Sequence, residues 1–277
     1  MKTSKELNWV IDLAEQSGEI LLKYSSQIES LERHHKAGQG FATQADEESE
    51  RFLIKEISKV YPTDQFLAEE SFFKSGKKEY SECKNGRVWF IDPLDGTNNF
   101  VNGIPYYSVC IGLVEDSVVK LGVVYNPFTG DCYFAEKGKG AYYENKLREI
   151  PMRKISKAKN LTKMSESMVS LGIISSRKLD VKSDYQKLVT MMKIIRAARK
   201  FGSAALDMCM VASGQLDAYI ETSLKPWDVA AASLILTESE VIITDLDCLD
   251  YNVFKPGVFA AREPLYSEIK NFLLAEK

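Results

Sequence analysis

Apolar residues recur at helical spacing near the start of the chain, where Trp9, Val10, Leu13 and Ala14 lead on to Leu21 and Leu22. The same period returns between Asp46 and Val60, with Phe52, Leu53, Ile54 and Ile57 set among charges. A 3.6-residue repeat of this kind predicts two long amphipathic helices. Between Val88 and Tyr143 short apolar runs take over: Val88-Trp89-Phe90-Ile91, Tyr107 to Leu113, Val118 to Tyr125 and Cys132 to Ala135. The turn residues Asn126-Pro127-Phe128-Thr129-Gly130-Asp131 separate the last two runs, so this stretch predicts an antiparallel sheet. Farther on the elements alternate. Met168 to Ile174 reads as a strand, Asp184 to Met192 and Ala204 to Ser213 as helices, Ala218-Tyr219-Ile220 as a strand, Val229 to Leu236 as a buried helix and Val241-Ile242-Ile243 as a strand. That alternation predicts an α/β unit, and a polar stretch near Ile155 divides the chain into 1–155 and 156–277.

Composition narrows the classes. With 277 residues, 45% of them hydrophobic and 27% charged, the chain can bury a large core and is not of a disordered type. The net charge is −3 and the Lys and Arg residues are scattered, so no basic patch for nucleic acid is expected. Cys83, Cys110, Cys132, Cys209 and Cys248 are odd in number and lack Cys-x-x-Cys spacing, which predicts free thiols in a reducing, cytoplasmic compartment. Charges run through Met1 to Ala14 and no apolar run reaches about 18 residues, so neither a signal peptide nor a membrane span is expected.

The chemistry concentrates in Asp92-Pro93-Leu94-Asp95-Gly96-Thr97, directly after the apolar run that ends at Ile91. Pro93 fixes its own φ and pushes Asp92 toward an extended conformation, so the strand is expected to end there with Asp92 projecting from it. Gly96 permits close backbone approach to a ligand, and a short helix from Thr97 would offer free N–H groups to an anion such as phosphate. Two carboxylates this close repel unless a cation compensates, and oxygen donors without nearby His or Cys favour Mg²⁺ over Zn²⁺. Read alone, such residues also fit a helix cap and a turn. Asp228, before the buried helix, and Glu69-Glu70-Ser71 have the same double reading: a cap and a solvated loop, or further ligands. The adjacent His34 and His35 fit a solvated loop or helix end, leaving a histidine base without support.

Taken together the chain resembles the inositol monophosphatase family of Mg²⁺-dependent, lithium-sensitive phosphatases. The resemblance rests on Trp89 to Thr97, continuing into Asn99-Phe100-Val101 and Gly103-Ile104-Pro105, and on Trp227-Asp228-Val229-Ala230-Ala231. Lys36 with Thr43-Gln44-Ala45-Asp46, Glu69-Glu70-Ser71 and Gly202-Ser203-Ala204-Ala205 complete it, in family order. It implies an αβαβα layered sandwich with the site between the halves, of the type shared with fructose-1,6-bisphosphatase. It also implies two or three Mg²⁺ ions, one held by Glu69, Asp92 and the Leu94 carbonyl and a second by Asp92, Asp95 and Asp228. Thr97 and Asp46 would pass on a proton from the attacking water, and Glu69 counts with them as catalytic. The Gly96 and Thr97 amides would cradle phosphate. Ala205 and Glu221 would meet hydroxyls of the organic part, with Asp95 and Asp228 also against substrate, and Lys36 would attract the anion or pair with a site carboxylate. A homodimer is implied as well.

Two departures qualify the match. Glu238-Ser239-Glu240-Val241 stands where members carry Glu-Ala-Gly-Gly, so a different local turn is expected at the helix end, because a left-handed Glu or Val costs about 1 kcal/mol or more. Asn98 and Asn102 replace the common Thr and His, which bears on substrate identity. The leading expectation is a phosphomonoesterase acting on inositol monophosphate or a similar polyol phosphate. Rivals are a 3′-phosphonucleotide, fructose-1,6-bisphosphate or histidinol-phosphate phosphatase, and a non-catalytic regulatory partner that retains the fold.

Overall fold

The computed structural model describes residues 3–28, 33–36, 40–76, 79–80, 85–155, 163–172 and 182–275. Helices α1 (Lys5–Ser25) and α2 (Gln44–Val60) bracket a ribbon of β1 (Arg33–Lys36) and β2 (Gly40–Thr43), and β3 (Gln65–Ala68) leads into α3 (Glu69–Ser75). Next come β4 (Arg87–Asp95), the short α4 (Thr97–Val101) and the strands β5 (Ser108–Glu115), β6 (Val118–Asn126), β7 (Asp131–Glu136), β8 (Gly140–Asn145) and β9 (Ile150–Lys154). The rest of the chain forms β10 (Met168–Gly172), α5 (Lys182–Met192), β11 (Ala197–Arg199), α6 (Ala204–Ser213), β12 (Ala218–Glu221), α7 (Pro226–Glu238), β13 (Ile242–Thr244), β14 (Val258–Ala261) and α8 (Leu265–Leu274).

Strands β3 to β9 form one sheet in sequence order, antiparallel except for the β3–β4 pair. A second sheet runs β11-β10-β12-β14-β13, with β10 parallel to both neighbours. The alternation along β4 sorts the layers. Trp89 and Ile91 face α1 and α2 through Leu7, Val10, Ile11, Leu53 and Ile57, whereas Val88 and Phe90 face α6 and α7. The second sheet covers the other side of α6 and α7 with Tyr219, Val258 and Ala260, and turns Val169, Ile220 and Phe259 toward α5 and α8. The result is the expected αβαβα sandwich, and the cluster around α6 and α7 draws on both sides of Ile155.

Helix α7 is buried from Val229 to Leu236, so that stretch can be apolar on nearly every side, and it needs a close seat. Gly112 and Gly122 pair across β5 and β6 and supply one: a Cβ on Gly122 would stand 2.5 Å from the Ala231 carbonyl oxygen. The far ends of α6 and α7 are tied by buried Arg262, which donates to the carbonyls of Val211 (2.7 Å), Ala212 (2.6 Å) and Ser239 (3.0 Å). A cation on the last carbonyls of two helices also meets their negative dipole ends.

Three sequence expectations need correction. Strand β4 does not end at Asp92. It continues through Pro93 to Asp95, and its pairing with β5 passes from Asp92↔Cys110 to Asp95↔Ser108, three residues against two. A bulge absorbs a proline that cannot donate to the ladder, and Ser49 from α2 satisfies the Pro93 carbonyl at 3.2 Å. At the end of α7 the left-handed position survives: Glu240 adopts φ +65° without glycine, so the turn is strained rather than different. His34 and His35 lie on β1, not in a loop or at a helix end. Their side chains and that of Lys36 lie outside the description, as do Cys83 and the last two residues, 173–174, of the strand expected after Met168. Cys110, Cys132, Cys209 and Cys248 form no disulfide. Among the described residues no helix is long and apolar enough to cross a membrane.

Candidate active site

Strand β3 delivers Glu69 to the first turn of α3, the β4 bulge delivers Asp92, and the first turn of α7 delivers Asp228. Each of the three offers a carboxylate oxygen, and those oxygens all lie within 4.8 Å of one another. Their placement is built in by backbone contacts. Glu50 of α2 accepts from the amides of Glu70 (2.6 Å) and Ser71 (2.8 Å) and so caps α3. Asp92 accepts from Leu94 N at 3.0 Å, and Asp228 from Lys225 N at 2.8 Å. Burial first, then the charges of Glu69, Asp95 and Asp228, holds the Asp92 carboxyl well above the usual carboxylate range. Burial and Glu69 raise Asp228 likewise. Crowded, partly dry carboxylates of this kind fit a hard divalent cation, which would remove the repulsion by binding.

Asp95 lines the same cleft, but its carboxylate is engaged by the start of α6. Ser203 Oγ donates at 2.6 Å, Ala205 N at 2.9 Å and Ala204 N at 3.2 Å. Burial pushes its carboxyl up to about 6, with these three donors acting against the shift. Gly96 takes φ +95°, and a Cβ there would stand 3.1 Å from the Tyr106 carbonyl oxygen and 3.2 Å from that of Gly202. Glycine therefore meets both a conformational and a steric demand. Next to it, Asn99 Nδ2 donates to the carbonyls of Tyr106 and Phe201, both at 2.7 Å, and ties α4 to the loops that lead into β5 and α6.

Thr97 Oγ1 lies 3.3 Å from Asp46 Oδ1 and 3.1 Å from the Leu94 carbonyl, with one proton to share between them. Asp46 is buried at 1% exposure behind Thr97, and its other oxygen accepts from Thr43 N (2.9 Å) and Thr43 Oγ1 (2.6 Å). Glu221, at the end of β12, accepts from Tyr219 Oη at 3.0 Å. Burial raises its carboxyl to about 6, while Lys200 and Tyr219 pull the other way.

The cleft that gathers these groups has a volume of about 290 Å³ and is lined by Glu69, Asp92, Leu94, Asp95, Gly96, Thr97, Glu221 and Asp228. Ala205 is not among its lining residues: its side chain is fully buried and it contributes only its amide to Asp95, whereas Ala204 lines the cleft. Ser170, Lys200, Ser203 and Asp207 also line it and had no role in the sequence reading. Ser203 has the signature of a helix N-cap. Asp207, bonded to Tyr106 Oη at 2.7 Å and Ser170 Oγ at 2.5 Å, was visible only as a lone acid in the apolar run of α6. A larger hollow of about 420 Å³ lies elsewhere, and there Asp245 and Lys255 neutralise each other at 2.6 Å.

A model of the inositol monophosphatase family matches residues 3–276. The Nus factor SuhB of Haemophilus influenzae is 31% identical over 265 residues, 96% of this chain and 94% of that protein. The fructose-1,6-bisphosphatase/inositol-1-monophosphatase of Thermotoga maritima is 30% identical over 264 residues, 95% of this chain and 93% of that one. Among solved structures, the extragenic suppressor protein suhB of Bartonella henselae superposes with a TM-score of 0.85 at 28% identity, covering 99% of this chain and 100% of its own.

Proposed function

Because the chain belongs to the inositol monophosphatase family, we propose that it is a Mg²⁺-dependent phosphomonoesterase acting on inositol monophosphate or a similar polyol phosphate. The observation that carries this reading is the set of Glu69, Asp92 and Asp228 carboxylates within 4.8 Å of one another beside Gly96 and Thr97. Bound there, Mg²⁺ would neutralise the ligating acids, screen the phosphoryl oxygens and lower the pKa of the attacking water. Glu69, Asp92 and Asp228, with the Leu94 carbonyl and Asp95, form the donor set. Asp95 would join them from the same cleft, although Ser203, Ala204 and Ala205 already donate to its carboxylate.

The chain's own residues then divide the work. Gly96 and Thr97 amides orient the phosphate. Thr97 Oγ1 accepts a proton from the attacking water while donating its own to Asp46 Oδ1, 3.3 Å away. Asp46 is suited to the role because its second oxygen is fixed by Thr43 and only Oδ1 faces the hydroxyl. Ala204, in place of Ala205, and Glu221 would contact hydroxyls of the organic part. Lithium inhibition and a homodimer belong to the same reading.

A panel of inositol monophosphate, fructose 1,6-bisphosphate, a 3′-phosphonucleotide and histidinol phosphate tests it by kcat/KM for phosphate release. The polyol monophosphate should lead; a clear lead for another member reassigns the substrate. The similarity to proteins named Nus factors favours one second reading, a non-catalytic partner role, for which failure to hydrolyse every member would speak.

A further inference from the structure

Gly172 and Glu221 are register partners at the ends of the parallel strands β10 and β12, and both line the cleft. A glycine ending a strand loses more conformational freedom on folding than another residue would, so it calls for a reason. Backbone conformation does not supply one, since Gly172 is not among the residues with positive φ. Space does. A Cβ built on Gly172 would stand 1.6 Å from Glu221 Oε2, 1.8 Å from its Cδ and 2.2 Å from Oε1. The carboxylate of Glu221 thus occupies the volume that any side chain at 172 would fill, lying sideways over the bare end of β10. From its own strand it is steadied by Tyr219 Oη at 3.0 Å.

We infer that Gly172 is a positioning residue for substrate specificity: by leaving the end of β10 bare, it lets the Glu221 carboxylate lie at the cleft wall where hydroxyls of a polyol phosphate can donate to it. This rests on the proposed polyol reading of Glu221. Gly172 itself touches no substrate and acts only through where Glu221 is held. A methyl group is enough to evict the carboxylate. The displaced group is the end of a flexible side chain, so the backbone need not move.

Kinetics of Gly172→Ala, Glu221→Gln and the double variant on inositol monophosphate and on an aryl phosphate, with a crystal structure of Gly172→Ala, test the inference. Gly172→Ala should raise KM for inositol monophosphate roughly tenfold, the scale of one charged hydrogen bond, with a smaller change in kcat. Its loss on the aryl phosphate should be several-fold smaller. The double variant should stay within about twofold of Glu221→Gln, because both changes remove one interaction. Losses that multiply, or a Glu221 carboxylate unmoved in the Gly172→Ala crystal, overturn the role of Gly172 while leaving that of Glu221 standing. Equal losses for Glu221→Gln on both substrates remove the hydroxyl-reading role of Glu221, and with it the inference.

Discussion

At the scale of single residues, the acids of the cleft are held against their own repulsion, and that makes them separable by experiment. Asp92→Asn removes the carboxylate raised by burial and by Glu69, Asp95 and Asp228. The metal-free variant should therefore be more stable than the parent at neutral pH, yet gain nothing from added Mg²⁺. Denaturant melts with and without the ion read both effects, and a variant still stabilised by Mg²⁺ would remove Asp92 from the donor set. Thr97→Ala and Asp46→Asn should instead keep Mg²⁺ binding and lose roughly 10²–10⁴ in kcat, the usual contribution of a positioned base. Combined, they should lose little more than either alone, because a relay acts as a unit. Losses that multiply would show two independent roles. Glu221 gives a pH signature. Its carboxyl is raised from 4.5 to about 6, so the folded state holds a proton that the unfolded state has released. Stability from this group is present below pH 4.5 and is lost as pH rises through about 6, by about 2 kcal/mol in all. Glu221→Gln in chelator should escape that fall, and a stability difference from the parent that stays flat between these pH values would contradict the burial argument.

At the scale of elements, the end of α7 stores strain. Glu240 carries φ +65° where glycine would be at ease, so Glu240→Gly should raise stability by roughly 0.5–1 kcal/mol in urea melts and leave metal affinity alone. A destabilised variant would mean that the Glu240 side chain supports the turn. Elements also differ in how far the sequence revealed them. Helices α1 and α2 and strands β4 to β7 were legible because each shows several periods of its pattern. The ribbon β1–β2, strand β11 and helix α3 span four, three and seven residues, too few for periodicity to register. Proline punctuation misled at β4, where neighbouring strands and Ser49 kept the chain extended through a bulge.

At the scale of the whole molecule, the site exists because the layers bring distant segments together. Asp92 and Asp228 could be read from local motifs, each sitting in a short run of distinctive residues. The anchoring of Asp95 by Ser203 and the fit of Glu221 over Gly172 depend on contacts across 108 residues in one case and on a strand register in the other, and neither leaves a local trace. In the proposed reading, a bound divalent ion clasps α3, β4 and α7, whose acids otherwise repel. Phosphate release from inositol monophosphate, measured in excess chelator and again after Mg²⁺ is restored, tests that claim most directly. Activity should vanish with the chelator and return with the ion. Full activity in the chelator would contradict a metal held by Glu69, Asp92 and Asp228.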